Sequence, residues 1–402
     1  MNRPKLLLTH PWMGRGGSEA TAMWALEALQ DDFEVTFSTA SPLDFDDLNQ
    51  AFGTKVDPQK IRFIQAPRIP TVNNPFRLAH LQIRFFERFC QKLAREADFC
   101  VSTYNPVQFG RPSIQLIGDF SFSEGMRKRL YVHGDSKFCH RETIIRRLYL
   151  SFAELISVPQ IPLADRGDLI LANSNWSAKQ LCDHFHVSEA KVIYPPVVLP
   201  EAPSHSVRDP LGFVCLGRVV PEKEIDRVIT ILEMVRGEGF PVTLSLIGQL
   251  DDSRYSNRIR EMISSREWII PKGFLSLRKK QDVLASQTFA LHACRIEAFG
   301  IAVAEMASMG CIPLVPDTGG AGEIVPFPEL QFATNEEACA KILELIKDPE
   351  SIPRFRESLS ARVARFGPEA FKKELREHLG NFAGLKKTSV DADSKQNLAP
   401  AH

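Results

Sequence analysis

The chain has 402 residues, too many for one ordinary domain, so two units of roughly 180 residues are expected. Its hydrophobic fraction is 44%, its charged fraction 24% and its formal net charge zero. Those values describe a globular protein and exclude one held to nucleic acid by its overall charge. No apolar run approaches the ~20 residues that cross a bilayer.

Apolar, strand-like runs fall at 5–9, 34–39, 62–65, 99–102, 113–117, 130–133, 169–173 and 191–194. Helix-period segments fall between them at 18–30, 75–97, 140–157 and 175–185. The stretch Pro200-Glu-Ala-Pro-Ser-His-Ser-Val-Arg-Asp-Pro210 is proline-rich and polar and reads as a linker. The alternation then restarts, with strands at 212–216, 242–247, 268–270, 289–292 and 312–315. Helices are expected at 222–237, 253–265, 276–284, 300–309 and 335–346. Regular strand–helix alternation predicts α/β architecture with parallel sheets, one on each side of the linker. Their strand C-terminal ends should face one another across a cleft, where ligands bind in such folds.

Eight cysteines stand apart, at 90, 100, 139, 182, 215, 294, 311 and 339, with no C-x-x-C pair. They read as reduced core residues of a cytoplasmic protein. The run Lys5-Leu-Leu-Leu8 is too short for the apolar core of a secretory signal.

Four strand exits carry unusual chemistry. Gly14-Arg-Gly-Gly-Ser-Glu19 follows the first strand; its glycines let backbone approach a ligand, and Ser18 is placed to cap the next helix. No Gly-Lys-Ser/Thr follows, so it is not a Walker loop. Leu216-Gly-Arg-Val-Val-Pro-Glu-Lys223 sets Arg218 and Lys223 beside a helix start at Pro221. Cations there are mildly unfavourable unless an anion is bound. Glu297-Ala-Phe-Gly-Ile-Ala-Val-Ala-Glu305 places two carboxylates around a strand–turn–helix step at Gly300. Such a step aims free N–H groups at an anion, and flanking carboxylates can grip sugar hydroxyls. Pro316-Asp-Thr-Gly-Gly-Ala-Gly-Glu323 is a further glycine-rich exit, whose glycines are expected to bring backbone amides near the ligand. His133, before Gly134, is a candidate cleft residue, and Asn173 or Ser174 a candidate helix cap. Together these residues read as a nucleotide-sugar site.

The set Gly16-Gly17-Ser-Glu19, Gly217-Arg218 with Glu222-Lys223, Glu297-x7-Glu305 and Thr318-Gly-Gly320 resembles retaining family 4 glycosyltransferases of the GT-B fold. Tyr131-Val-His133, Asn173-Ser-Asn-Trp176 and Val192-Ile-Tyr-Pro-Pro-Val197 are similar to dolichol-pathway-type α-1,2-mannosyltransferases that use GDP-mannose. The resemblance implies two Rossmann-like domains facing each other across a cleft. Residues 1–200 would form the acceptor side, 201–210 the linker and 211–366 the nucleotide-sugar domain. A helix over 367–385 would pack back on the first domain, ahead of a disordered tail at 386–402.

The resemblance also implies roles. Arg218 and Lys223 would neutralise the departing diphosphate, with backbone amides of Gly16 and Gly17. Glu305 would hold the ribose. Glu297, with amides at Phe299, Gly300 and Ile301, would bind the transferred sugar, and His133 would touch it from the other domain. Base contacts would fall near Gly273-Phe274. The pair Arg295-Ile296 departs from the small polar residues usual before Glu297. The implied reaction moves a hexosyl group, mannosyl favoured, from a nucleotide diphosphate to a glycan or lipid-linked acceptor with retention. It needs no metal if Arg218 and Lys223 supply the charge. The D-x-D patterns at Asp44-Phe-Asp46 and Asp391-Ala-Asp393 lie off strand ends and are not read as a metal site.

Residues 60–150 hold 16 Lys/Arg against 7 Asp/Glu, a net of +9. Within them, 76–89 mixes basic and aromatic residues at helical spacing. An anionic membrane surface is therefore a candidate partner, with the protein peripheral on the cytoplasmic face. The alternatives are a soluble-acceptor transferase using a UDP-sugar, another enzyme on the same fold such as a sugar-nucleotide 2-epimerase or a phosphorylase, and a non-catalytic sugar-nucleotide-binding protein.

Overall fold

Runs such as Leu6-Leu7-Leu8 and Phe289-Ala290-Leu291 have no polar face, so both sides of each strand must be covered. The computed structural model describes residues 3–68, 78–130, 144–155, 159–199 and 207–396. Its first half runs β1 (Lys5–Thr9), α1 (Gly17–Leu29), β2 (Glu34–Thr39), α2 (Phe45–Phe52), β3 (Ile61–Gln65), α3 (Ala79–Leu93), β4 (Phe99–Ser102), β5 (Ile114–Ile117), α4 (Glu124–Leu130), α5 (Ile144–Leu155), β6 (Leu169–Ala172), α6 (Asn175–Phe185) and β7 (Lys191–Val192). The second half runs β8 (Asp209–Leu216), α7 (Ile225–Gly237), β9 (Thr243–Ile247), α8 (Arg254–Ser264), β10 (Ile269–Gly273), α9 (Leu277–Ala285), β11 (Gln287–Leu291), α10 (Ile301–Ser308), β12 (Ile312–Pro316), β13 (Gln331–Phe332), α11 (Asn335–Lys347) and α12 (Ser351–Val363). The helix α13 (Pro368–Gln396) follows.

All pairings are parallel. The first sheet has the order β3-β2-β1-β4-β5-β6-β7 and the second β10-β9-β8-β11-β12-β13. In each, the chain winds outward on one side and then reverses. The reversals fall between β1 and β4, where Leu7 pairs with Cys100, and between β8 and β11, where Phe213 pairs with Phe289. Loops leaving the two strands at such a point diverge and open a crevice. The four chemically unusual exits include the loops after β1, β8 and β11.

Several expected boundaries move. Residues 130–133 were expected as a strand, but Leu130 closes α4 and 131–133 lie outside the described residues. The linker was drawn through Pro210. Strand β8 already begins at Asp209, whose N–H reaches Ser286 O at 2.9 Å and whose carbonyl accepts from Thr288 Oγ1 at 2.7 Å. A proline is tolerated at the start of a strand because its missing donor is not needed there. Helix α13 continues to Gln396, beyond the residue 385 at which a tail was expected. Extending an existing helix adds one hydrogen bond per residue fixed, which polar, helix-tolerant residues do not prevent. The short β13 and the helix α12 carried no strong sequence signal.

Phe371, Leu375, Leu379 and Phe382 of α13 are buried with Met23, Leu26 and Leu29 of α1. Lys372 reaches Glu27 at 2.9 Å, and Arg376 Nε donates to Ala28 O at 2.9 Å. The end of the chain therefore crosses back onto the first half. Leu375 is fully buried, so Leu375→Ala should cost about 2–5 kcal/mol. Urea unfolding would measure it, with faster amide exchange expected in β1 and β2. An unchanged midpoint would remove α13 from the core of the first half.

Candidate active site

The loop after β8 carries Arg218, which is exposed, and closes in one 3-10 turn at Pro221–Lys223. Glu224 then takes a left-handed conformation (φ 48°) and starts α7. A glutamate held there is strained and needs an anchor. Arg295, from the loop after β11, supplies it: its Nη2 lies 2.9 Å from Glu224 Oε2 and its Nε 3.1 Å from Oε1. Arg295 is thus turned onto the Lys223 loop and ties it to the Glu297 loop.

At the junction the Lys223 ammonium donates to Glu297 Oε2. His292, at the end of β11, brings Nε2 to 3.0 Å from the same oxygen, as a close contact rather than an aligned hydrogen bond. The Lys223 and Glu297 side chains keep 21% and 13% of their exposure, so the pair is largely out of water. Burial opposes the Glu297 charge, but Lys223 and His292 outweigh it and hold the carboxyl well below the usual range. Burial likewise opposes the Lys223 charge, and Glu297 more than restores it.

Beyond Glu297 the backbone must turn sharply into α10. Gly300 does this with φ 103°, a conformation open to glycine. No side chain caps α10, so its first N–H groups remain directed at the cleft. The Phe299 ring points the other way, packed at 5.6 Å from Tyr194 and 5.1 Å from Phe366. Only its main chain is available to a ligand.

The loop after β12 supports this turn. Gly320 N–H donates to Glu297 O at 2.7 Å, and a Cβ at Gly320 would run into the Ala298 carbonyl oxygen. From the other half, Ser174 caps α6 and also donates to Ala298 O at 2.5 Å. Glu323 accepts from the amides of Asn175 at 3.1 Å and Trp176 at 2.9 Å, and from the Tyr194 hydroxyl at 3.0 Å. The glycines of 316–323 were expected to bring amides near a ligand. The amide of Gly320 instead holds the Glu297 loop.

The start of α1 faces α10. Gly16 is its N-cap, with no side-chain cap bond, so the expected capping by Ser18 does not occur; Ser18 donates to Glu19 instead. A Cβ built at Gly17 would lie 2.8 Å from Ile301 Cδ1. Two uncapped helix N-termini therefore meet across the cleft. Arg15 pairs with Asp47 at 2.5 Å and lies over the Phe274 ring at 5.2 Å from its centroid, joining the β1 exit to the β10 exit. Behind them, burial lowers the His10 pKa to about 4, leaving it neutral, with Nδ1 2.9 Å from Thr103 Oγ1. Asp44 caps α2 by accepting from Asp47 N at 3.0 Å.

Glu305 lies five residues into α10, where Lys280 of α9 reaches it at 2.7 Å. His292, Lys280, Glu224, Arg295 and Glu323 had not been singled out as partners. Lys280 sits in an ordinary basic helix face, and only the fold brings it to Glu305. His133 lies outside the described residues. Among the described residues, His292, Cys294 and Glu297 bring three potential metal ligands within 4.8 Å of one another. Burial pushes the Cys294 thiol up to about 12, and the Lys223 ammonium already sits on Glu297. A protonated thiol and a neighbouring cation both disfavour a metal there.

Replacing Glu297 by Gln would leave Lys223 buried without a counter-charge. We expect Glu297→Gln to lose about 3 kcal/mol of stability at neutral pH. Because the Glu297 pKa is depressed in the folded state, this advantage of the wild type is present above the unfolded carboxyl pKa near ~4.3. It disappears as pH falls through the folded value. Urea unfolding of both proteins across the acid range measures it, and equal midpoints at pH 7 would contradict the pair.

A sequence model of the family described as "Glycosyl transferases group 1" matches residues 202–362. Among curated proteins, the chain is 26% identical over 259 residues to "GDP-Man:Man(3)GlcNAc(2)-PP-Dol alpha-1,2-mannosyltransferase" of Xenopus tropicalis, covering 59% of this chain and 53% of that protein. The chain thus spans about half the length of the curated relatives it matches first. Among solved structures, Anabaena Alr3699/HepE in complex with UDP and glucose is 16% identical, with TM-score 0.67, over 94% of this chain and 100% of that one. Sucrose-phosphate synthase from Thermosynechococcus elongatus is 14% identical, with TM-score 0.70, over 95% and 100%. At such identities the structural likeness speaks for the fold. Residues 202–362 therefore match the group 1 glycosyltransferase family, and the two facing parallel sheets have the GT-B fold.

Proposed function

We propose that the protein transfers a hexosyl group, mannosyl favoured, from a nucleotide diphosphate sugar to a glycan or lipid-linked acceptor with retention of configuration. The observation that carries this reading is the meeting of two uncapped helix starts, α1 at Gly17 and α10 at Ile301, in a cleft that also holds Arg218 and Lys223. Helix-end amides and fixed cations stabilise the charge that develops on a departing diphosphate. No metal is needed for that step. Glu305 would take the ribose hydroxyls and Glu297 those of the sugar, with His292 holding Glu297 in place. Phe274 would lie against the base.

Each carboxylate has a lysine partner, Lys223 for Glu297 and Lys280 for Glu305. A donor would exchange part of those ion pairs for its own hydroxyls and phosphates. The mannosyl preference is supported by the name of the Xenopus relative; a UDP-sugar donor is the second reading, supported by the UDP complex of the Anabaena fold neighbour. A cytoplasmic setting is supported by seven free cysteines among the described residues.

Thermal shift against GDP, UDP, ADP and their sugars, without metal and with Mg²⁺, tests the donor. A ligand that binds the native state alone raises the midpoint by mass action. A shift with GDP-mannose but not with the UDP-sugars is expected; a UDP-selective shift would keep the site and discard mannose. Donor turnover without transfer to an acceptor would point to another chemistry, and no shift with any nucleotide would sink the reading.

Two variants test the residues. Lys223→Ala should lower turnover at least about tenfold, since one preorganised charge contact contributes that much or more. Glu305→Ala should weaken donor binding about tenfold, the effect of one charged hydrogen bond. Wild-type rates and affinity in both would refute the assignments.

A further inference from the structure

Helix α5 presents its more apolar side to water. Ile144, Leu148, Phe152 and Leu155 are 77%, 66%, 54% and 81% exposed, whereas Ala153, on the opposite side, is buried. The spacing i, i+4, i+8, i+11 places the four on one stripe about 16 Å long. A surface helix of a water-facing protein shows the reverse arrangement, and an exposed apolar patch of this kind marks a contact surface.

The neighbouring helix α3 was the segment expected to lie on a membrane. The structure instead buries its Phe86 and Cys90 in the core of the first half, leaving Phe85 exposed. Helix α3 packs against α5, where Leu81 N–H donates to the Tyr149 hydroxyl at 3.2 Å. The exposed charges among the described side chains of α3, α4 and α5 are cationic: Arg88 and Lys92 on α3, Arg147 on α5, and Arg129 at the end of α4, which lies toward Asp183 of α6. Among the described side chains of these three helices, the acids are Glu87, buried against Arg84, and Glu124, beside His80.

We propose that α5 is the membrane-docking element of this protein, lying in the plane of an anionic bilayer. Ile144, Leu148, Phe152 and Leu155 enter the acyl boundary, while Arg88 and Lys92 of the packed helix α3 and Arg147 of α5 itself meet the headgroups. Apolar insertion and attraction to anionic lipid reinforce each other in such helices. A second copy of the chain is a poorer occupant, because a symmetric contact would bring the same cations together. The face belongs to the half opposite the group 1 domain, and it does not depend on the donor reading.

The test is co-sedimentation of the full chain with phosphatidylcholine vesicles, with and without phosphatidylglycerol. Binding should be at least about tenfold stronger to the anionic vesicles and should fall with salt. Leu148→Ser with Phe152→Ser should reduce it at least about tenfold. Wild-type binding by that variant, equal binding to both vesicles, or no binding to either would overturn the proposal. So would a concentration-dependent dimer that the variant abolishes.

A second measurement guards against a misfolded variant. Phe152→Trp, which keeps the stripe apolar, should blue-shift its emission with anionic vesicles alone; an unchanged spectrum would count against insertion. Vesicle binding that persists while no nucleotide shifts the melting point would separate failure of the donor reading from failure of this one.

Discussion

The arrangement of the whole cleft depends on how the backbone at Glu297-Ala298 is held. The Glu297 carbonyl accepts from Gly320 N–H, and the Ala298 carbonyl accepts from Ser174 across the two halves. Neither contact survives a side chain at position 320, because that space is filled by the Ala298 carbonyl itself. The loop is thus clamped between its own sheet and the start of α6. Its conformation decides where the Glu297 carboxylate, the Gly300 turn and the open amides of α10 lie. Glu323 strengthens the same clamp by accepting from the first amides of α6, where a carboxylate is favoured by the helix dipole.

Electrostatics then organise the floor of the cleft. A lone buried carboxylate at Glu297 would take up a proton rather than stay charged. Lys223 prevents this, and the Glu224–Arg295 pair keeps the Lys223 loop against the Glu297 loop. Arg295, two residues before Glu297, therefore has a physical task on the far side of the loop. The pair is conditionally stable: complete, it tolerates burial; with one partner removed, it leaves a charge with no compensation.

Much of this was legible in the chain. Fully apolar runs such as 289–291 and 312–315 require cover on both faces, and their alternation with helix-period segments implies parallel sheets. Gly300 was recognisable because a sharp strand-to-helix turn needs a residue free to adopt positive φ. The ends of elements were less legible. Asp209-Pro210 reads locally as linker, yet pairing with Thr288 draws it into β8. Helix α3 has the pattern of a membrane-surface helix, and only the packing of Phe86 and Cys90 shows that its apolar side is already occupied.

The sequence by itself determined the fold class, the alternation of strands and helices and the strand exits that carry charge or glycine, because these follow from local periodicity and backbone freedom. The tertiary structure alone decided which charges meet. Lys223 and Glu297 are 74 residues apart, Lys280 and Glu305 are 25 apart, and Glu323 reaches an amide 148 residues away. It also decided that the exposed apolar stripe belongs to α5 and not to α3. Nothing local encodes such pairings: they arise when the sheets set the strand ends side by side, and each polar group then takes the partner that its burial demands.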